Sequence, residues 1–166
     1  TPGTNNAAKS LNILSTGTLD IATGNSVTLD STLQNSGTVT LTGGTLAVRG
    51  GSGVGILNTG IITMSSGDLT LGMPATTPNN RVFSQNGTLT VSGGTLTVLG
   101  AFNTIATSII NQSGGSISVD GNAGGVAANS VPQGTPIVRL LNAANNLSGG
   151  TFTIVDAHAG TGGTNT

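Results

Sequence analysis

The chain has 166 residues, 28 of them glycine, with a formal net charge of −1, 5% charged residues, 2% aromatic residues and no cysteine. That composition excludes a disulfide framework and a thiolate metal site, and the scattered cations Lys9, Arg49, Arg81 and Arg139 offer no basic patch to nucleic acid or an anionic bilayer. At 35% hydrophobic residues the chain is too apolar for a disordered one, yet no apolar run reaches the roughly 18 residues of a membrane helix.

Residues 1–10, TPGTNNAAKS, read as an N-terminal extension without the charged and apolar regions of a secretory signal. From residue 11 onward one unit recurs: Gly, a small polar residue, apolar, any, apolar. It appears as GTLDI (17–21), GTVTL (37–41), GTLAV (44–48), GIITM (60–64), GDLTL (67–71), GTLTV (87–91), GTLTV (94–98), GSISV (115–119) and GTFTI (150–154). SVTL (26–29) is a variant with Asn25 in the glycine place. Apolar and small polar residues alternate strictly, which is the period of a half-buried strand.

The units are paired, with glycines seven apart: Gly17 with Gly24, Gly37 with Gly44, Gly60 with Gly67, Gly87 with Gly94. Turn residues separate the members of each pair, so a pair is two short strands and a tight corner. Four residues before the first glycine stand Ile13, Leu33, Ile56 and Phe83, which predict a third strand leading into each pair. Two residues before it stand Ser15, Asn35, Asn58 and Gln85, side chains suited to bonding backbone at a corner or to stacking as amides. First glycines follow one another at steps of 20, 23 and 27 residues, then about 28 to Gly115.

These features predict an all-β fold, a single-stranded parallel β-helix (β-solenoid) of about five three-strand coils plus an irregular C-terminal coil or cap. A chain that stacks like coils must repeat itself, because each coil presents the same pleat and apolar face to the next. Inward positions on the first strand of each pair are expected at Leu19/Ile21, Val39/Leu41, Ile62/Met64, Leu89/Val91 and Ile117/Val119. On the second strand they are Val27/Leu29, Leu46/Val48, Leu69/Leu71 and Leu96/Val98. The coils are expected over residues 11–119, with excursions at 72–80, where Pro74 and Pro78 each remove a ladder donor, and at 99–108, a weaker strand-bearing stretch. A Gly/Ala-rich connector (120–135), terminal strands (136–156) and a mobile tail (157–166) complete the layout.

The patterns GTVTLTGGTLAV and GTLTVSGGTLTV resemble the Gly/Thr/Ser/Asn-rich passenger regions of autotransporters and filamentous-haemagglutinin-like adhesins. The likeness spans residues 11–119, with a weaker echo in 136–156. It implies a right-handed parallel β-helix on a bacterial surface, extracellular in location and structural or adhesive in role.

The residues assign no catalytic, cofactor or metal site. The chain has no Glu, and Asp20, Asp30, Asp68, Asp120 and Asp156 are not placed on adjacent coils of one column, as a polysaccharide-active β-helix enzyme with paired carboxylates would require. DGNAGG (120–125) lacks the bidentate Glu of a Ca²⁺ loop, since Val131 takes that place. His158, the sole histidine, has no second ligand to complete a metal site. RGGSGVG (49–55) has no Lys-Ser/Thr after it and reads as corner glycines.

Nearly uncharged solenoid ends are expected to carry unpaired N–H and C=O groups, and head-to-tail stacking does not close. The sequence therefore predicts an extracellular filament or adhesin subunit whose main partner is itself, with Lys9, Arg49, Arg81 and Arg139 available to pair with aspartates between subunits and a surface or carbohydrate ligand as a further partner. An alternative is an ice-binding β-solenoid using outward Thr-x-Thr columns. Interruptions at Asp20, Ala47, Ile61 and Asp68 and the drift in coil length are expected to spoil that lattice match.

Overall fold

Alternation forces every second side chain of a strand to one face, so a chain written this way buries its apolar set only by closing on itself. In the computed structural model, described for residues 5–49, 53–72, 81–120, 138–142 and 144–155, it does so as a parallel β-solenoid with no helix among those residues. In chain order the strands are β1 (Asn5–Ala8), β2 (Leu11–Ile13), β3 (Thr18–Ala22), β4 (Ser26–Leu29), β5 (Leu33–Asn35), β6 (Thr38–Val48), β7 (Gly53–Asn58) and β8 (Ile61–Leu71). They continue as β9 (Arg81–Gln85), β10 (Thr88–Val91), β11 (Thr95–Val98), β12 (Ala101–Thr104), β13 (Ile109–Asp120), β14 (Val138–Arg139) and β15 (Asn146–Val155).

Three walls result. The first is built by β3, the opening halves of β6 and β8, β10 and the start of β13 and β15. The second is built by β1, β4, the closing halves of β6 and β8, β11 and the ends of β13 and β15. The third is a six-stranded sheet in the order β2-β5-β7-β9-β12-β14. Every pairing is parallel, and the coil number is roughly that expected from the repeat.

Inward columns run the length of the solenoid. Leu46, Leu69, Leu96 and Ile117 stack on the second wall, Val39, Ile62, Leu89 and Ile110 on the first, and Leu33, Ile56, Phe83 and Phe102 on the third, all fully buried. Each large aliphatic so buried is worth about 1.5–3 kcal/mol in transfer terms. The rings of Phe83 and Phe102 meet edge to face at 5.2 Å and 87°, the geometry an aromatic quadrupole favours.

Three local expectations are corrected. Leu11, not Ile13, pairs with Leu33, and Ile13 lies opposite Asn35. The first coil has two extra residues in the corner before β3, so its third strand starts two positions earlier than the glycine spacing implies. Ile117 and Val119 belong to the second wall, opposite Leu96 and Val98, while Ile110 and Gln112 fill the corresponding places on the first. Residues 99–108 are not an excursion: Ala101–Thr104 is wall strand β12, and the residues after it turn the corner into β13.

Residues 5–8 of the expected N-terminal extension form β1, which adds a strand beneath β4. Residues 73–80, 121–137 and 156–166 lie outside the described residues, and with them the proline excursion beyond Gly72, most of the connector and the tail including His158. Variation in coil length is concentrated at the corner between second and third walls, between Val48 and Ile56, Leu71 and Phe83, and Val119 and Val138.

Two glycine columns line the other corners. A Cβ on Gly60 would run into the carbonyl oxygen of Gly37, the same oxygen that accepts the Ile61 N–H at 2.9 Å. Gly94 adds a positive φ of 78° to a similar approach by the Gly67 carbonyl. Gly60→Ala and Gly94→Ala are each expected to cost more than the ~1 kcal/mol of an ordinary incompatible glycine replacement, and Leu96→Ala about 2–5 kcal/mol, measured by urea unfolding. A near-neutral Gly60→Ala would show that the corner relaxes and that the close stack is not a constraint.

Candidate functional site

Outward side chains fall into ranks set by the same register. On the first wall they are Thr18–Thr38–Ile61–Thr88–Ile109 and Asp20–Thr40–Thr63–Thr90–Asn111. On the second wall they are Ser26–Thr45–Asp68–Thr95–Ser116–Thr151 and Thr28–Ala47–Thr70–Thr97–Ser118–Thr153. Asp20 and Asp68 thus stand on different walls, both exposed. Asp30 lies 3.7 Å from Arg49 of its own chain, with both side chains more than half exposed, so the pair is solvent-screened. Asp120 ends β13, and Asp156 is outside the described residues.

Arg81, expected at a subunit contact, is instead buried at the start of β9, and desolvation there lowers its guanidinium pKa. Among the described residues no three His, Asp or Glu side chains cluster as metal ligands would, and no helix is long and apolar enough to cross a membrane.

The core itself comes to the surface at both ends. On the second wall Ile154 continues the column of Leu71, Val98 and Val119, yet it is 56% exposed where Val119 is 0%. On the first wall Leu147 continues the column of Leu41, Met64 and Val91 through Gln112 and is 44% exposed. At the opposite end Leu11, Leu19 and Val27 occupy inward columns and are only partly buried, and Leu14 beside them is 66% exposed. Among the described strands, β2, β3 and β1 at one end and β14 and β15 at the other each pair with a single neighbour, leaving one row of N–H and C=O groups without a strand.

An amide ladder fixes the level-to-level register at the corner between third and first walls. Asn35 Nδ2 donates to Asn58 Oδ1 at 2.8 Å and to the Ile61 carbonyl at 2.9 Å. Asn58 Nδ2 donates in turn to Gln85 Oε1 at 2.8 Å and to the Thr88 carbonyl at 3.1 Å. All three amides are buried. Ser15, expected in this column, is exposed at the surface because Ile13 holds its place. At the next level Thr104 lies opposite Gln85 and bonds the backbone of Arg139 and Leu141 instead, so Gln85 Nε2 has no partner among the described residues.

Asn58→Leu keeps the branching at Cγ but leaves an amide group on each side without its partner, and is expected to cost on the order of 1–3 kcal/mol per orphaned group. Gln85→Met is expected to cost less, because half of that amide is already unpaired. Urea midpoints for the two variants check the order, and a Gln85→Met loss as large as that of Asn58→Leu would contradict the ladder's direction.

No protein-family model, no curated protein and no solved structure matches the chain, so its functional reading rests on the open ends, the ladder and the outward ranks described above.

Proposed function

We propose that the chain is a structural segment of an extracellular bacterial surface filament or adhesin, joined to its neighbours coil upon coil. The observation that carries the reading is the exposure of inward columns at both ends. Leu147 and Ile154 point where a further coil would cover them, and Leu11 and Leu19 do the same at the other end. A coil from another copy supplies what these edges lack, apolar cover for the columns and a parallel partner for the unpaired backbone. Such a contact is heterologous and open, so it propagates into filaments rather than closing into rings.

The extracellular setting is supported by the likeness of GTVTLTGGTLAV and GTLTVSGGTLTV to surface β-helices and by a surface with little charge to oppose association. In the adhesin form, a carbohydrate or other surface ligand is held without turnover, and neither a catalytic group nor a cofactor enters the reading.

Electron microscopy of the purified chain at rising concentration tests this. Filaments with an axial repeat of one subunit are expected for the unaltered protein, and dispersed short rods for Leu147→Lys/Ile154→Lys, with strand content by circular dichroism unchanged. Unaltered protein that stays as dispersed rods at every concentration would sink the reading.

A further inference from the structure

We infer that the second wall is a binding face for ordered water, that is, for the surface of ice. The sequence counted four interruptions to its Thr columns, but the structure divides them between walls. Asp20 and Ile61 lie on the first wall, and only Ala47 and Asp68 remain on the second. Above Asp68 three consecutive levels each carry a pair of hydroxyls, Thr95/Thr97, Ser116/Ser118 and Thr151/Thr153, with Asp120 and Val155 in the next outward place of the upper two. Coil length does not disturb them, because the long connections leave from the corner after this wall and the three residues between first and second walls stay constant from β6 upward.

The spacing follows from strand geometry. Neighbouring levels repeat at about 4.8 Å, and the two outward positions of one strand lie about 6.7 Å apart. Both repeats are close to those of water molecules on faces of hexagonal ice. The chemistry fits as well. Each Thr offers a hydroxyl to bond lattice water and a methyl to sit between lattice positions, and its β-branched side chain is stiff, so little rotamer freedom is lost on contact.

A second observation separates the outward walls from the corners of the solenoid. Corner hydroxyls are spent inside the protein, as in Ser36 with Thr59, Ser92 with the Met64 carbonyl and Ser108 with the Ile105 carbonyl. The hydroxyls of the three upper levels, like those of Thr40, Thr63 and Thr90 on the first wall, make no hydrogen bond among the described residues, and all stand at the surface, partly or fully exposed. On the first wall one rank keeps three hydroxyl levels, Thr40, Thr63 and Thr90, but its companion is broken by Ile61, and both ranks end at Ile109 and Asn111, so the paired array is not matched there.

The inference is independent of assembly and is tested on dispersed rods, using Leu147→Lys/Ile154→Lys if the unaltered chain forms filaments. Thermal hysteresis and ice recrystallisation are measured for that protein, for Thr97→Tyr on the second wall, for Thr90→Tyr on the first, and for Asp68→Thr. The parent is expected to shape and slow growing ice, Thr97→Tyr to lose most of the effect, Thr90→Tyr to keep it, and Asp68→Thr to strengthen it by extending the hydroxyl array one level. A folded parent that leaves ice growth unchanged overturns the inference, as does equal loss in Thr90→Tyr and Thr97→Tyr. Retention of the parent on crystalline cellulose or chitin without any effect on ice would assign the face to a polysaccharide instead.

Discussion

Everything in this molecule depends on the hydrogen bonding of each coil to the one beneath it in a parallel register that shifts only at the corners between first and second walls and between Val54 and Ile56. Residues of one strand are satisfied only by residues a full coil away, as when Thr88 N–H reaches the Gly60 carbonyl and Ile109 N–H reaches that of Gly87. No level is therefore stable alone, and a slip of one residue would turn the whole inward set to solvent. Repetition of sequence is the direct result. The core columns need like apolar residues above one another, and the corners need glycine where carbonyls pass too close for a Cβ, as at Gly60 and Gly94.

The buried amides answer a problem the apolar core cannot solve. Apolar packing is tolerant, since Leu41, Met64 and Val91 replace one another in a single column without breaking it. Tolerance of that kind leaves register loosely specified. Asn35, Asn58 and Gln85 supply direction: each amide must meet the next to avoid an unpaired buried group, and a slip would orphan more than one. The ladder stops at Gln85, where Thr104 takes over with backbone partners. Above that level the outer edge of the third wall is the two-residue β14, while the first and second walls continue through β15.

How much of this was legible in the sequence depends on which residues carried two signals at once. Alternation together with glycine spacing located β6, β8, β10 and β11 and their inward residues, because both cues agree there. Where spacing stood alone it misled. Ile13 sits four residues before Gly17 as Leu33 sits before Gly37, yet two added corner residues shift the strand so that Leu11 takes the column. AFNT (101–104) shows no glycine unit, so its place in the third wall was hidden until Phe102 was seen stacked on Phe83. The exposed edge columns were foreseen in outline only, since Leu147 and Ile154 join the columns of Gln112 and Val119 through a pairing that periodicity alone does not encode.

A solenoid this uniform concentrates function in what breaks or completes its uniformity. Inside the stack every group has its counterpart a level away, and a side chain with such a neighbour is already spent. Three places escape that rule: the edges of the described stack, where a strand has one neighbour; the corner between second and third walls, where coil length varies; and the outward walls, most regularly the second, where hydroxyls repeat without bonding one another. The first calls for another coil, because only a coil matches both the apolar columns and the backbone edge. The third calls for a partner that is itself periodic, because a single small ligand would engage two or three of the hydroxyls and leave the rest of the array without purpose. Repetition therefore narrows the possible partners to repetitive ones, whether another copy of the chain or a lattice, and makes affinity a matter of summing weak contacts over many levels.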